Sequence, residues 1–172
     1  MDVSFVIVSY NACDLLRRCL ASVYNHTNGV EFEVVVVDNA SQDGTPEMIA
    51  SQFPRATLVR RATNDGFARA VNEGFAVARG EALLVLNPDT ELTSDILQPM
   101  LAYLREHKDV GILAPKLLDP DGTLQLSCRA FPSYSAALFN RYSLLTRLFP
   151  NNQASRRYLM TDFDHRSITD VD

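Results

Sequence analysis

Two aspartates directly follow short apolar runs, where a carboxylate could meet a ligand. Asp38 follows a run of four valines, and Asp89 ends the Asn-Pro-Asp sequence after the apolar residues 82–86. Magnesium and manganese prefer oxygen ligands and are commonly held by one or two carboxylates together with substrate phosphates. Asp89 is therefore the candidate metal ligand, while Asp38 is placed to accept hydrogen bonds from a base or a ribose.

Aromatic and basic residues complete a candidate nucleotide site. Tyr10 follows the first apolar run, and its ring could stack on a nucleobase, because a planar π face can stack on any base. The Asn-Asp-Gly sequence at residues 64–66 precedes a helical pattern whose first turn carries Arg69. Backbone amides and a guanidinium at such a helix start can meet phosphate or base oxygens.

Each of these features also has a purely structural interpretation. Asp38 and Asp43 could shape an Asx turn with Gly44, and residues 87–90 could form a simple turn before a helix. An aromatic residue such as Tyr10 is more often packed in a core or at its rim. The positions of the carboxylates at strand ends favour a functional interpretation over these alternatives.

The elements that must position these residues alternate between strand and helix. Four short apolar runs indicate buried strands, and three amphipathic patterns between them indicate helices. The strands are expected at residues 3–9, 32–37, 56–61 and 82–86, and the helices at residues 15–24, 45–53 and 67–78. This alternation predicts an α/β fold, with a mostly parallel central sheet and helices on both faces. Ligands of such sheets bind beyond the carboxyl ends of the strands.

The pattern is less regular after the fourth strand. We expect, in order, a fourth helix, a further strand, a turn with a short strand after it, and another amphipathic helix. These lie at residues 93–107, 110–114, 119–127 and 135–149. Asn11 and Thr93 are the expected caps of the first and fourth helices. The polar residues 151–172 are expected to be mobile.

Composition disfavours several other classes of protein. The chain has 172 residues, 47% of them hydrophobic and 22% charged, which suits a globular domain with a substantial core. A net charge of -5 gives no general attraction to nucleic acid. The cysteines lack the spacing of a zinc site, and the sequence contains neither G-x-G-x-x-G nor a Walker-type phosphate loop. The apolar residues 3–8 are too few for a membrane span, so we expect a cytosolic protein, with peripheral attachment to the inner face of a membrane left open.

Three segments together are typical of one enzyme family: VIVSYN at residues 6–11, VVDNASQDGT at residues 36–45 and NDGFARAVNEGFAVARGEALLVLNPDT at residues 64–90. Over most of residues 3–132 the chain resembles family-2 glycosyltransferases, especially their rhamnosyltransferase-like branch. The resemblance implies a GT-A fold, a nucleoside-diphosphate sugar donor, Mg²⁺ or Mn²⁺, and inverting transfer to a glycan or lipid-linked acceptor in polysaccharide or cell-wall biosynthesis. In that branch dTDP-rhamnose is a common donor.

The resemblance also implies roles for single residues. Tyr10 and Asp38 would contact the nucleoside, and Arg69 would lie near it. Asn72 is a further candidate for the nucleotide pocket, and Asp89 would serve the metal and the diphosphate. The family's usual Asp-x-Asp is Asn-Pro-Asp in this chain, which leaves one carboxylate fewer for the ion. We expect the nucleotide-sugar-binding domain at residues 1–132, and a helical segment with a polar tail at residues 133–172.

No residue is assigned as the catalytic base. Inversion needs an acidic residue that takes the proton of the acceptor hydroxyl. Family members continue into a segment that contains the acceptor region and this base, so we expect the base beyond Asp172, and only weak transfer by this chain. Asp162, Asp164 and Asp170 are less favoured candidates. Two other classes are a non-catalytic nucleotide-sugar-binding module and a nucleotidyltransferase, and the latter is disfavoured because no glycine-rich basic loop follows the first strand.

Overall fold

The computed structural model describes residues 1–131, Leu148, residues 152–160 and Phe163. The chain divides into two compact units, Met1–Leu113 and Ala114–Asp172. All the predicted site residues belong to the first unit. The domain division expected after residue 132 stays a prediction, and the helix expected at residues 135–149 lies outside the described residues except for Leu148.

Four parallel strands form the sheet of the first unit. They are β1 (Val3–Ser9), β2 (Phe32–Asp38), β3 (Thr57–Arg60) and β4 (Ala82–Leu86), in the spatial order β3-β2-β1-β4. The interior strand β1 is buried along its whole length, which explains its almost unbroken apolar sequence. Ser9 pairs with Asp38 and Ile7 pairs with Leu86, so the carboxyl ends of β1, β2 and β4 lie along one edge of the sheet. The predicted parallel α/β architecture is confirmed.

Helices cover both faces of this sheet. They are α1 (Cys13–His26), α2 (Thr45–Gln52), α3 (Phe67–Val77) and α4 (Leu97–Glu106). The larger apolar core joins one face to α1, α2 and the start of α4, with Phe5, Leu20 and Ile49 among its buried side chains. On the other face, Val37 of β2 packs with Ala70 of α3 in a smaller cluster. These two cores hold the sheet, and therefore the strand ends, in place.

A hydrogen-bonded cluster fixes the opposite, amino-terminal edge of the sheet. The Ser4 hydroxyl donates to Glu33 Oε1 at 2.7 Å and accepts from the Gly80 amide at 2.7 Å. Arg79 donates through its guanidinium to Glu33 Oε2 at 2.9 Å, and the Glu33 side chain is only 8% exposed. The Ser4–Glu33 cluster, made of Ser4, Glu33, Arg79 and Gly80, thereby ties β1, β2 and the segment that enters β4.

The structure differs from the expected helix starts. Asn11 does not cap α1, because the helix begins at Cys13 after Ala12. Thr93 does not cap α4, which begins at Leu97, where the amide donates to Asp95 Oδ1 at 3.2 Å. In both places an acidic side chain accepts the first amide of the helix instead of the expected cap. For α1 that side chain is Asp43.

The expected strand at residues 110–114 is absent from the described chain, and these residues are irregular. Residues 110–113 instead form part of the lining of a groove beside β4 and α4. In the second unit, the expected strand after residue 122 is reduced to an antiparallel bridge between Leu118 and Leu124. None of residues 110–114 is buried and Ile112 is 91% exposed, so this short apolar run neither pairs as a strand nor enters the core, and the prediction of a strand there is wrong.

A further helix, α5 (Gln153–Leu159), lies in the second unit. Its cap is Asn152, whose side-chain oxygen accepts from the Ser155 amide at 2.7 Å. The stretch expected to be mobile therefore contains a helix, and its other residues, apart from Asn152, Met160 and Phe163, lie outside the described ones. Over the part of the chain that the structure describes, no helix has the length and apolar character needed to cross a membrane.

Candidate functional site

The loops that follow β1 and β2 are hydrogen-bonded to each other. The Asn11 amide donates to Ser41 Oγ at 2.9 Å, and the Gln42 amide donates to Asn11 Oδ1 at 2.9 Å. Asn11 and Ala40 take positive φ angles of 49° and 69°. Such left-handed conformations cost a side-chain-bearing residue about 1–2 kcal/mol, and they persist where the surroundings fix them, commonly at functional sites. The two loops therefore form a fixed rim at this edge of the sheet.

Asp43 ties the rim to two helices. Its Oδ2 accepts from the Cys13 amide at 2.8 Å, and its Oδ1 accepts from the Thr45 hydroxyl at 2.6 Å. Burial by itself raises the pKa of Asp43, but the hydrogen bonds from Thr45 and Cys13 outweigh it and hold the pKa below the usual value. Asp43 is therefore charged at neutral pH. It has the structural role that the sequence left open for it.

The two expected nucleoside contacts follow neighbouring strands but differ in exposure. Tyr10 is 51% exposed and is therefore no core residue. Asp38 is only 2% exposed, and both its carboxylate oxygens lie 3.3 Å from the Ser41 amide. A carboxylate has about four acceptor positions, so this amide leaves most of them for other donors. Asp38 thus forms a turn with Ser41, whereas the turn expected at Gly44 is closed by Asp43, and Asp38 keeps the capacity to bind a ligand.

Asp89 lies exposed in a turn that follows β4. The Thr90 amide donates to the Asn87 carbonyl at 3.2 Å and closes this turn, as the structural interpretation of the sequence expects. Among the described residues, His, Cys, Asp and Glu side chains nowhere form a group of three or more that could hold a metal ion. One carboxylate with phosphate oxygens and water nevertheless suits Mg²⁺. Asp89 therefore fits an ion that arrives with a diphosphate.

The loop that carries Asp89 is held against α1. The Leu92 amide donates to Ser22 Oγ at 2.9 Å in a buried hydrogen bond, and the Ser22 hydroxyl donates to the Cys19 carbonyl at 2.7 Å. The Cys19 Sγ lies 3.7 Å from the Asn87 carbonyl oxygen. Burial, with a smaller contribution from the charge of Asp89, raises the pKa of the Cys19 thiol to about 12. The position of Asp89 thus depends on packing against α1.

A buried arginine for which the sequence predicts no role lies at the end of β3. The Arg61 side chain is 7% exposed, and its guanidinium donates to Asn39 Oδ1 at 2.7 Å. It also pairs with Asp65 at 2.9 Å and with Glu73 at 3.0 Å. Arg61 is the last residue of the strand predicted at residues 56–61, and this position at the carboxyl end of a strand, the edge where Asp38 also lies, is the signal in the sequence that could have identified it.

The Asn-Asp-Gly loop before α3 lies beside the end of β2. Asn64 Oδ1 accepts from Asn39 Nδ2 at 2.6 Å and from the Gly66 amide at 3.1 Å. Arg69, with 68% of its side chain exposed, pairs with Asp65 at 3.4 Å. Asn72 is exposed further along α3. The structure therefore links the Arg69 segment to the residue that follows Asp38.

Residues 4–160 match the sequence profile of the family described as Glycosyl transferase family 2. The chain belongs to glycosyl transferase family 2. The family resemblance of the three sequence segments is thereby confirmed. The matched range includes β2, β3, β4, all of β1 except Val3, and all the predicted site residues.

Known relatives of this family 2 chain include enzymes of glycan synthesis. N-acetylglucosaminyl-diphospho-decaprenol L-rhamnosyltransferase of Mycobacterium tuberculosis is 29% identical over 164 residues, which is 89% of this chain and 52% of the relative. Succinoglycan biosynthesis protein ExoO of Rhizobium meliloti is 39% identical over 101 residues, which is 58% of this chain and 29% of that protein. The chain spans about half the length, or less, of these two relatives.

Solved glycosyltransferase structures share the fold of the family 2 chain. TarS 1-349 of S. aureus in complex with UDP-GlcNAc has a TM-score of 0.57 and 27% identity, covering 63% of this chain and 32% of that one. The mannosyltransferase PcManGT from Pyrobaculum calidifontis, in complex with GDP-Man and Mn²⁺, has a TM-score of 0.56 and 28% identity, covering 69% and 36%. The GT-A fold implied by the sequence resemblance is confirmed.

Proposed function

We propose that the strand-end edge of the first unit binds a nucleoside-diphosphate sugar for glycosyl transfer. The observation that supports this most directly is the placement of Tyr10, Asp38 and Asp89 at or just after the carboxyl ends of three neighbouring parallel strands. Open α/β sheets bind their ligands in the crevice beyond the carboxyl ends of the strands. The hydrogen-bonded rim made by the loops after β1 and β2 borders this crevice.

The proposed roles follow from exposure and chemistry. Tyr10 presents a half-exposed ring that stacks on the base, and Asp38 accepts hydrogen bonds from the nucleoside. Arg69 and Asn72 border the nucleotide from α3. Asp89 holds Mg²⁺ or Mn²⁺ together with the diphosphate oxygens. When bound, the ion supplies positive charge that neutralises the charge developing on the departing diphosphate.

The donor sugar and the acceptor are finer proposals. We propose dTDP-rhamnose as the donor and a glycan or lipid-linked acceptor, because the relative that aligns with 89% of this chain is named as an L-rhamnosyltransferase that acts on a diphospho-decaprenol. Transfer would invert the configuration at the anomeric carbon, as the family resemblance implies. The location of the general base beyond Asp172 stays a prediction.

Titration calorimetry tests the donor site. We expect at least one of UDP, GDP and dTDP to bind, and to bind more tightly with Mg²⁺ or Mn²⁺ than with a chelator, because metal and diphosphate complete each other's coordination at Asp89. Asp89→Ala should abolish this metal enhancement. Glu91→Gln is the matched control, because it removes a carboxylate from the same loop whose ion pair with Arg18 is exposed and therefore weak.

Two results would contradict the proposal. If none of the three nucleoside diphosphates binds with or without metal, the edge is no nucleotide site. If Asp89→Ala keeps the full metal enhancement, the ion is held elsewhere. Binding of a donor sugar without glycoside formation or donor hydrolysis would instead favour the non-catalytic binding module.

A further inference from the structure

The guanidinium of Arg61 lies between the two segments that carry the proposed nucleoside contacts. Its side chain is 7% exposed, so its charge is largely removed from water. A buried charge is costly unless it is paired and hydrogen-bonded, and Arg61 meets this requirement with two carboxylates and one amide oxygen. Because the guanidinium is planar, with five donors in fixed directions, it also fixes the relative positions of its partners.

On one side Arg61 holds the end of β2. Its backbone amide donates to the Asp38 carbonyl at 2.9 Å, and its side chain donates to Asn39 Oδ1 at 2.7 Å. Asn39 is itself 3% exposed, and it connects Arg61 to the next loop, because its Nδ2 donates to Asn64 Oδ1 at 2.6 Å. Arg61 therefore holds the main chain that directly follows the Asp38 side chain, through its backbone at Asp38 and through its guanidinium at Asn39.

On the other side Arg61 holds the start of α3. Asp65 Oδ2 accepts from Arg61 at 2.9 Å and also pairs with Arg69 at 3.4 Å. Glu73, two turns along the helix, pairs with Arg61 Nε at 3.0 Å. Loss of this guanidinium would leave Asp65 with Arg69 and the Thr63 hydroxyl. It would also weaken the link between the start of α3 and the end of β2, which would then depend on the hydrogen bond from Asn39 to Asn64.

We propose that Arg61 is a positioning residue of the nucleoside site, one that holds the Asp38 and Arg69 segments in register without touching the ligand. This inference rests on the proposed function. It assigns Arg61 an effect on nucleoside affinity that is separate from its effect on folding. It also confines that effect to the nucleoside half of the site, because the loop of Asp89 is held by Ser22 on α1 instead.

Three variants test this role: Arg61→Met, Arg61→Lys and, as the matched control, Arg60→Met, which removes the neighbouring exposed arginine. Affinity for UDP, GDP, dTDP and the corresponding nucleosides is measured by calorimetry at a temperature where thermal melts show each variant folded. We expect Arg61→Met to weaken nucleoside binding by about tenfold, equivalent to about 1.4 kcal/mol. Arg61→Lys should lose less, and Arg60→Met should bind as the wild type does.

The metal dependence separates positioning from a general loss of structure. In Arg61→Met, the ratio of diphosphate affinity with Mg²⁺ to that with chelator should stay at the wild-type value, because the Asp89 loop is unchanged. A lowered melting temperature with unchanged nucleoside affinity would overturn the inference, since a merely structural arginine behaves in that way. The inference would also be overturned if Arg61→Met lowered the ratio of diphosphate affinity with Mg²⁺ to that with chelator by the same factor as it lowered nucleoside affinity.

The possible results distinguish failure of this inference from failure of the proposed function. If Arg61→Met does not fold, Arg61→Lys carries the test, because it keeps the positive charge but cannot reproduce the fixed fork of donors. If the wild-type protein binds none of the nucleosides or nucleotides, the proposed function fails, and this inference fails with it. If the wild type binds and both folded Arg61 variants bind equally well, only the role of Arg61 is wrong.

Discussion

Asp38 and Asp89 are both strand-end aspartates, yet their surroundings suit different ligands. Asp38 is 2% exposed and accepts a backbone hydrogen bond, whereas Asp89 is exposed in its turn. Hydrogen bonds made by a buried group are strong and require a defined geometry, which suits recognition of a base or a ribose. An exposed carboxylate can take an ion that keeps several of its waters, as Mg²⁺ does. The two aspartates thus divide recognition of the nucleoside from binding of the diphosphate.

Substitution of Asp38 should separate these two tasks. We expect Asp38→Asn to weaken metal-free nucleoside binding by about tenfold or more, because a hydrogen bond to a charged group contributes about 1.5–3 kcal/mol. Calorimetry with nucleosides in the presence of a chelator measures the change. Asp109→Asn, which alters an exposed carboxylate in the turn after α4, is the control. Unchanged affinity in Asp38→Asn would show that this carboxylate has only its role in the turn.

A site residue can be located from the sequence when its position relative to a strand is enough to place it in the fold. Tyr10 and Asp38 could be placed at the same edge because strand ends are visible as the ends of apolar runs. Asp43 and Arg61 could not be assigned their hydrogen bonds with Cys13 and Asn39 in this way. Their partners Cys13 and Asn39 lie 30 and 22 positions away, and sequence patterns describe neighbours within a few residues.

At the level of elements, the close approach of α3 to the sheet depends on one glycine. A Cβ at Gly74 would lie 2.4 Å from Val6 Cγ1 and 3.2 Å from Val37 Cγ2. Both valines are fully buried and belong to interior strands, so neither can move aside easily. Because α3 begins with the Asn-Asp-Gly loop and Arg69, its distance from the sheet also sets the position of one side of the site.

Gly74→Ala should therefore destabilise the protein although alanine favours helices. Overpacking costs about 1–3 kcal/mol, and the higher helix propensity of alanine offsets about 1 kcal/mol of that, which leaves a net loss of up to about 2 kcal/mol in the free energy of unfolding. Urea unfolding measures it. Val6→Ala in the same chain should relieve the contact, with a coupling energy above about 0.5 kcal/mol between the two changes. Stabilisation by Gly74→Ala would show that α3 lies further from the sheet.

The strands and helices could be predicted from the sequence where the apolar pattern of a segment matches its burial in the fold. The bounds of β1 and β4 follow from the sequence because both are short apolar runs between turns. The start of α1 could not be predicted, because the side chain that accepts its first amide comes from another loop. Residues 110–114 show a further limit, since apolar residues can line a groove without pairing as a strand.

At the level of the whole first unit, the two edges of the sheet have different tasks. The carboxyl edge carries the loops of the candidate site, and the amino edge is fixed by the Ser4–Glu33 cluster. Burial of the Glu33 carboxyl by itself raises its pKa, but hydrogen bonds from Ser4 and Arg79 outweigh this and hold the pKa below the usual value. The charged form of Glu33 therefore stabilises the folded state.

Acid should weaken the protein through this cluster. Since the folded-state pKa of Glu33 lies below the unfolded value near 4.5, its contribution is present above pH 4.5 and is lost as the pH falls through the lower, folded-state pKa. We expect Glu33→Gln to lower the free energy of unfolding at pH 7 and to flatten its decline below pH 4.5. Urea unfolding across this pH range measures both effects, with the exposed Glu47→Gln as the control. An unaltered decline in Glu33→Gln would locate the acid sensitivity elsewhere.

The thiol of Cys19 behind the Asp89 loop provides a kinetic probe of that loop. Burial raises the pKa of the Cys19 thiol to about 12, so the folded protein holds almost none of it as thiolate at pH 7, and the side chain is fully buried. A thiol reagent should therefore modify Cys19 only when the loop transiently moves away from α1. In a Cys13→Ser/Cys128→Ser background, where Cys19 is the remaining cysteine of the sequence, the labelling rate measures how often the loop opens. Mg²⁺ with a bound nucleoside diphosphate should slow labelling, and Asp89→Ala should remove that protection. Equal rates with and without ligand would mean that the loop opens independently of the site.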